Sequence, residues 1–349
     1  MASFVLIRHW NPTANSKASL LDGLNVIEGS NGTWRGEVRL QGQQVRCVAV
    51  DSSLKERVYC GTFGNGVYRS DNGGVSWRPC KGLPNRNVMA LATAGSGDAG
   101  RTALLYAGTE PSAIYQSSDG GDTWHALPGL QKLPSAGEWS FPPRPENHHV
   151  RQILSDPSAP RRLHVAIEAG ALLRSEDGGE TWRDRVPGGP RDTHTLAAHR
   201  SAPGRLYSAA GDGYFESLDD GETWRRVMEG LEHGYCWSVA VSHSDPDTVI
   251  LSAAKSPRAA HSKEFANSGV YRRSAHEPWR KALDGLPDPE GRRVPVLARS
   301  DIEPGVFYLP SEGELYRSAN SGAEWQKLTV DWAERCSPQH ANDIAVVES

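Results

Sequence analysis

The octapeptide Ser117-Ser118-Asp119-Gly120-Gly121-Asp122-Thr123-Trp124 returns as Ser175-Glu176-Asp177-Gly178-Gly179-Glu180-Thr181-Trp182 and again as Ser217-Leu218-Asp219-Asp220-Gly221-Glu222-Thr223-Trp224. An aspartate placed here can accept backbone N–H bonds inside a tight turn. Glycine tolerates positive φ, and the tryptophan brings a broad face for packing between sheets. The segment therefore reads as a hairpin turn with a folding role, not as a set of ligands. Tryptophan carries the repeat through the chain: Trp34, Trp77, Trp124, Trp182, Trp224, Trp279 and Trp325 follow one another at intervals of 42 to 58 residues. The text ahead of it repeats too. Val58-Tyr59-Cys60-Gly61-Thr62 and Gly66-Val67-Tyr68-Arg69-Ser70 precede Trp77, as Leu105-Tyr106-Ala107-Gly108-Thr109 and Ala113-Ile114-Tyr115-Gln116-Ser117 precede Trp124.

Self-similarity at this period predicts blades of a propeller. Each complete repeat reads as four strands, A to D, and six complete repeats cover about residues 45–80, 87–127, 149–186, 194–227, 236–282 and 294–328. The remainder supplies a seventh. Asp343–Glu348 reads as a strand A, while Phe4–Arg8, Leu24–Glu28 and Thr33–Arg35 read as B, C and D. Pairing the last strand with the first closes the ring and removes long open sheet edges. The expectation is an all-β, single seven-bladed β-propeller occupying 1–349 as one domain.

The turn sequence resembles the Asp-box, or BNR, repeat S-x-D-x-G-x-T-W of sialidase-like β-propellers, matched at every defined position in three copies. Asn72, Asn320 and Glu324 alter two further copies, and Ser274 to Trp279 is shortened. The resemblance implies architecture across the chain. It does not bring a sialidase catalytic pattern, because neither Leu6-Ile7-Arg8-His9 nor Phe141-Pro142-Pro143-Arg144 fits the F/Y-R-I-P motif. Two-propeller xyloglucanases and single-propeller assembly factors of photosynthetic complexes carry similar repeats. The first group implies a glycosidase cleft between two rings, the second a protein-binding face.

Composition narrows the functional classes. With 38 basic against 42 acidic residues the net charge is −4, which argues against general nucleic-acid or anionic-membrane binding. No apolar run approaches the eighteen residues of a membrane span. The first residues lack a signal-peptide pattern. Five cysteines without a CxxC pair indicate neither a disulfide framework nor a structural zinc site, and a cytoplasmic location is expected.

Strand direction puts the D–A and B–C connections on one rim, the top. The long connections His9–Gly23, Pro128–His148, Lys255–Gly269 and Thr329–Asn342 all fall there, with Trp10 and His340 inside two of them. Long loops on a rigid scaffold commonly carry function. His149 and His194, at the entrances to two inner strands, are the acid/base or metal-ligand candidates, with Glu168 orienting an imidazole or ligating. Tyr235 is a candidate hydrogen-bond donor. Arg151, Arg144 and Arg293 are candidates for an anion, Trp237 for stacking, and His261 for covering the pocket. Three arrangements remain open: a divalent metal on His149, His194 and Glu168; metal-free acid/base chemistry; or polar residues lining a wet channel. The expected ligand is a small polar or anionic organic molecule, handled by a hydrolase or lyase. The alternatives are a non-catalytic scaffold for a protein partner and a sialidase-type glycoside hydrolase.

Overall fold

The computed structural model describes residues 3–9, 23–30, 33–95, 103–275, 277–333 and 341–348. Trp10, Cys336 and His340, with most of the His9–Gly23 connection and the latter part of Thr329–Asn342, lie outside them.

Seven sheets stand in a ring, antiparallel but for one added strand, and make a seven-bladed β-propeller. The inner strands are Val45–Val50, Val88–Ala94, Val150–Asp156, Thr193–Ala198, Tyr235–Val241, Ala298–Arg299 and Ala341–Glu348, each packed against the next and the last against the first. Together they line an axial channel of about 300 Å³. Second strands such as Val58–Thr62, Leu206–Ala210 and Thr248–Ala254 are buried along their whole length, which explains their unbroken small and apolar sequence. Closure follows the expected plan: Ser3–His9 pairs with Ala341–Glu348 on one side and Leu24–Ser30 on the other.

The octapeptide turns hold themselves. In the copy at 117–124, Ser117 Oγ accepts the Gly121 N–H at 2.9 Å, and Asp119 Oδ1 accepts the N–H groups of Asp122 and Thr123 at 3.0 and 2.9 Å. Gly120 and Gly121 take φ of 75° and 92°, and Trp124 Nε1 donates back to Gly121 O at 3.1 Å. The Trp124 ring then packs with Tyr59, Val67 and Leu105 between two blades. In the copy at 175–182, the hydroxyl and N–H of Thr181 hold the Asp177 carboxyl down to about 2. These carboxylates serve the turn.

Two elements depart from the four-strand expectation. The blade over 150–175 has three strands, and its fourth is reduced to a single bridge between Arg174 and Arg183. Just past the bridge, the Asp184 carboxylate accepts the Ser135 N–H at 2.7 Å, tying the chain to the helical turn Pro134–Glu138 of the top loop. Conversely, Val330–Trp332, expected within a top loop, adds a fifth strand parallel to Thr33–Arg39. Gly36 permits it, since a Cβ there would lie 2.3 Å from the Trp332 ring.

His164 tests the core by titration. It is 2% exposed, and burial pushes its pKa down to about 4 against the opposing pull of Asp156. The unfolded chain, titrating near 6.5, takes up the proton first, so the stability tied to neutral His164 is complete above pH 6.5 and is lost as pH falls toward 4. Between pH 7 and 5 this costs roughly 1–2 kcal/mol. Urea unfolding of His164→Leu should lose correspondingly less over that interval; an identical slope in both proteins would remove the assignment.

Candidate functional site

Three blades place a glutamate in the connection between their second and third strands, and each glutamate meets an arginine. Glu110 is gripped by Arg144 through two bonds of 2.8 Å. Glu312 is gripped by Arg293, again through two of 2.8 Å. Glu168 Oε2 faces Arg151 Nε at 3.2 Å. The three arginines expected to hold an anion are thus engaged by carboxylates, and Arg151 also lies over the Trp237 ring at 4.8 Å.

Glu168 differs from the other two because it also faces a histidine. His194, 2% exposed, sits at the start of its inner strand, and its Nδ1 lies 2.7 Å from the Cys236 carbonyl oxygen. A carbonyl only accepts, so Nδ1 carries hydrogen and Nε2 points the other way. There it meets Asp192 Oδ2 at 3.4 Å and Glu168 Oε1 at 3.9 Å, with no aligned hydrogen bond to either. Asp192 is fixed in turn. Its Oδ1 accepts the Ala169 N–H at 2.9 Å, and Gly211 leaves it room, since a Cβ there would lie 2.1 Å from Oδ2. Ala169 holds φ at 48°, a left-handed conformation that costs an alanine roughly 1–2 kcal/mol. Burial raises the Glu168 pKa, opposed by His194 and Arg151. Burial acts on Asp192 in the same sense, but the adjacent His194, the Ala169 N–H and Arg151 outweigh it and bring it down.

An aromatic wall adjoins this group. Tyr235 and Trp237 stack at 21° with centroids 6.2 Å apart, and the His194 ring lies 4.9 and 4.6 Å from them. His261, at the end of the short helix Pro257–His261, meets Trp237 edge-on at 4.4 Å and places Nε2 3.3 Å from the Tyr235 hydroxyl. Burial, with His194, Arg151 and Arg293 nearby, pushes His261 down to about 3. Burial also raises the Tyr235 hydroxyl, leaving it a donor at neutral pH.

The structure therefore brings Glu168, His194, Tyr235, Trp237, His261 and Arg151 together. Arg144 and Arg293 are spent on Glu110 and Glu312. His149 does not join His194 and Glu168. Its Nδ1 lies 3.5 Å from Glu110 Oε2 and its ring is edge-on to Phe141 at 5.1 Å. Burial, then Arg151 and Arg144, pushes His149 down to about 3, so the imidazole is neutral and this approach is no ion pair. Among the described residues the set with ligand atoms all within 4.8 Å of one another is Glu168, Asp192 and His194. Asp192 was missed as a site residue; its place two residues before His194, at the entrance to the same inner strand, was the available signal.

A seven-bladed β-propeller with a polar cluster over its axis is the class that fold and site define. No protein-family model matches the chain, and no curated protein matches it by sequence. Among solved structures it is similar to the GH74 enzyme of Niastella koreensis, with 15% identity, 88% of this chain and 51% of that one covered, and a TM-score of 0.67. The GH74 xyloglucanase of Xanthomonas campestris matches at 17% identity, covering 90% and 51%, with a TM-score of 0.66. The chain thus spans about half the length of these enzymes. YCF48 bound to a D1 peptide matches at 17% identity over 82% of each chain, with a TM-score of 0.55. Likeness at these identities establishes the propeller fold.

Proposed function

We propose that this propeller, of the Asp-box type and folded as one cytoplasmic domain, binds a small polar organic molecule at the top centre of the ring and acts on it by hydrolysis or elimination. The convergence of Arg151, Glu168, Asp192, His194, Tyr235 and His261 from three consecutive blades carries the reading. With each candidate arginine facing a glutamate, a neutral polar molecule suits the site better than an anion. The GH74 likeness supports hydrolysis as the reaction class, with the substrate left to this chain's own pocket. The YCF48 match, which extends over 82% of each chain, favours a second reading in which the top face docks a peptide.

Thermal unfolding in the presence of small sugars, hydroxy acids and amino acids separates the two. At a hundredfold excess over Kd a ligand adds about 2.7 kcal/mol, a rise of roughly 4 °C in a chain of this size. The rise should vanish in Tyr235→Phe and His261→Ala. A response to peptides alone, unchanged in both variants, would replace the small-molecule reading with the docking one.

A further inference from the structure

Three atoms at the top of the ring point inward while their neighbours on the same side chains are tied outward. His194 Nδ1 is spent on the Cys236 carbonyl, Asp192 Oδ1 on the Ala169 N–H, and Glu168 Oε2 faces Arg151. What remains is His194 Nε2, Asp192 Oδ2 and Glu168 Oε1, with Nε2 at 3.4 Å from the first oxygen and 3.9 Å from the second. With Nδ1 donating to the carbonyl, Nε2 is a buried nitrogen turned toward two carboxylate oxygens and without a hydrogen-bond partner. Three electron-rich atoms so placed repel one another unless a positive charge lies among them. A proton on Nε2 would need an acceptor along the ring plane, and neither carboxylate offers an aligned hydrogen bond.

We infer that Glu168, Asp192 and His194 bind a divalent first-row transition ion through these three atoms. The inference rests on the small-molecule reading above and gives that site its cofactor. Metal–ligand bonds of about 2.0–2.2 Å place tetrahedral ligand atoms about 3.4 Å apart, the separation found between His194 and Asp192. One imidazole with two carboxylates suits zinc, iron, cobalt or manganese rather than magnesium or calcium, which prefer oxygen alone. Two outer contacts suit such a centre, in which a ligating histidine normally donates its other N–H to a carbonyl and a ligating carboxylate is itself hydrogen-bonded: His194 Nδ1 meets the Cys236 carbonyl and Asp192 Oδ1 accepts the Ala169 N–H, while Glu168 Oε2 is held by the charge of Arg151 alone. Three protein ligands leave coordination positions for water or for an oxygen of the organic molecule. His149, held at Glu110, takes no part.

Protein purified without a histidine tag and stripped with a chelator is titrated with Zn2+ and, separately, Co2+ by calorimetry, without any organic ligand. One equivalent per chain is expected, and the Co2+ form should show visible d–d absorption. His194→Ala and the isosteric Asp192→Asn should each weaken binding by about 100-fold or more, with circular dichroism and thermal midpoint of the stripped proteins retained, while His149→Ala binds as wild type. Should His194→Ala fail to fold, Asp192→Asn and Glu168→Gln, which keep side-chain volume, carry the comparison. No saturable binding by the wild type, or undiminished binding in Asp192→Asn, overturns the inference. Small-molecule stabilisation that persists in stripped protein unable to bind Zn2+ removes the metal alone. Zn2+ binding without any small-molecule response removes the organic ligand alone.

Discussion

Removing Ala341–Glu348 should lower the thermal midpoint by roughly 7 °C or more. The strand is the inner member of its blade and pairs with Ser3–Ile7 and, past one irregularity, with His9. Val347 and Ala341 are buried, and Ile344 and Val346 pack against the cluster that includes Trp237 and Val296. Each Val or Ile buried contributes about 1.5–3 kcal/mol, so the apolar loss alone reaches roughly 5 kcal/mol. Asp343 adds a tie to the neighbouring blade by accepting the Val48 N–H at 3.0 Å. The truncated chain would also expose the Ser3–His9 edge, a template for pairing between molecules. Scanning calorimetry with sedimentation analysis should show both the lower midpoint and self-association. An unchanged midpoint would mean that the ring does not depend on this pairing.

The second large effect lies between two blades. Glu216 and Arg273, on strands Gly213–Ser217 and Ser268–Ser274, are 5% and 3% exposed and in direct contact. The Tyr214 hydroxyl donates to Glu216 Oε1 at 2.8 Å, and the guanidinium lies 5.4 Å from the Trp279 ring centroid. Glu216→Ala leaves a buried cation without its nearest partner and should cost about 3–5 kcal/mol in urea unfolding. Adding Arg273→Met to Glu216→Leu should restore most of that, because the desolvation penalty disappears with both charges. A double mutant as unstable as the sum of the singles would show that the pair is not coupled.

Much of the fold was legible because its signals are local. The hydrogen bonds that fix Asp119, Asp177 and Asp219 run within five residues, so the turns could be read one at a time, and tryptophan spacing counted the blades. Closure was legible because the chain ends supply complementary strands. The fifth strand at Val330–Trp332 was not, since nothing in Val-Asp-Trp states that it will run parallel to a segment some three hundred residues earlier and lean on Gly36. After Ser175 the chain leaves the blade with a single bridge and Asp184 reaches Ser135 instead, a contact without periodicity. The site divides in the same way. Glu168, His194, Tyr235 and Trp237 could be placed from their positions at strand ends near the axis. His149 could not be separated from them, because a strand entrance fixes where a residue is and leaves open which neighbour its ring will meet; here it is Glu110.

The pairing of Ser3–His9 with Ala341–Glu348 also sets an order of events during translation. The hairpin made first leaves the ribosome without its inner partner and must wait for nearly the whole remaining chain to be synthesised. At about 5–20 residues per second that delay is tens of seconds, long enough for the six intervening sheets to form and present the unfinished wedge with a preformed slot.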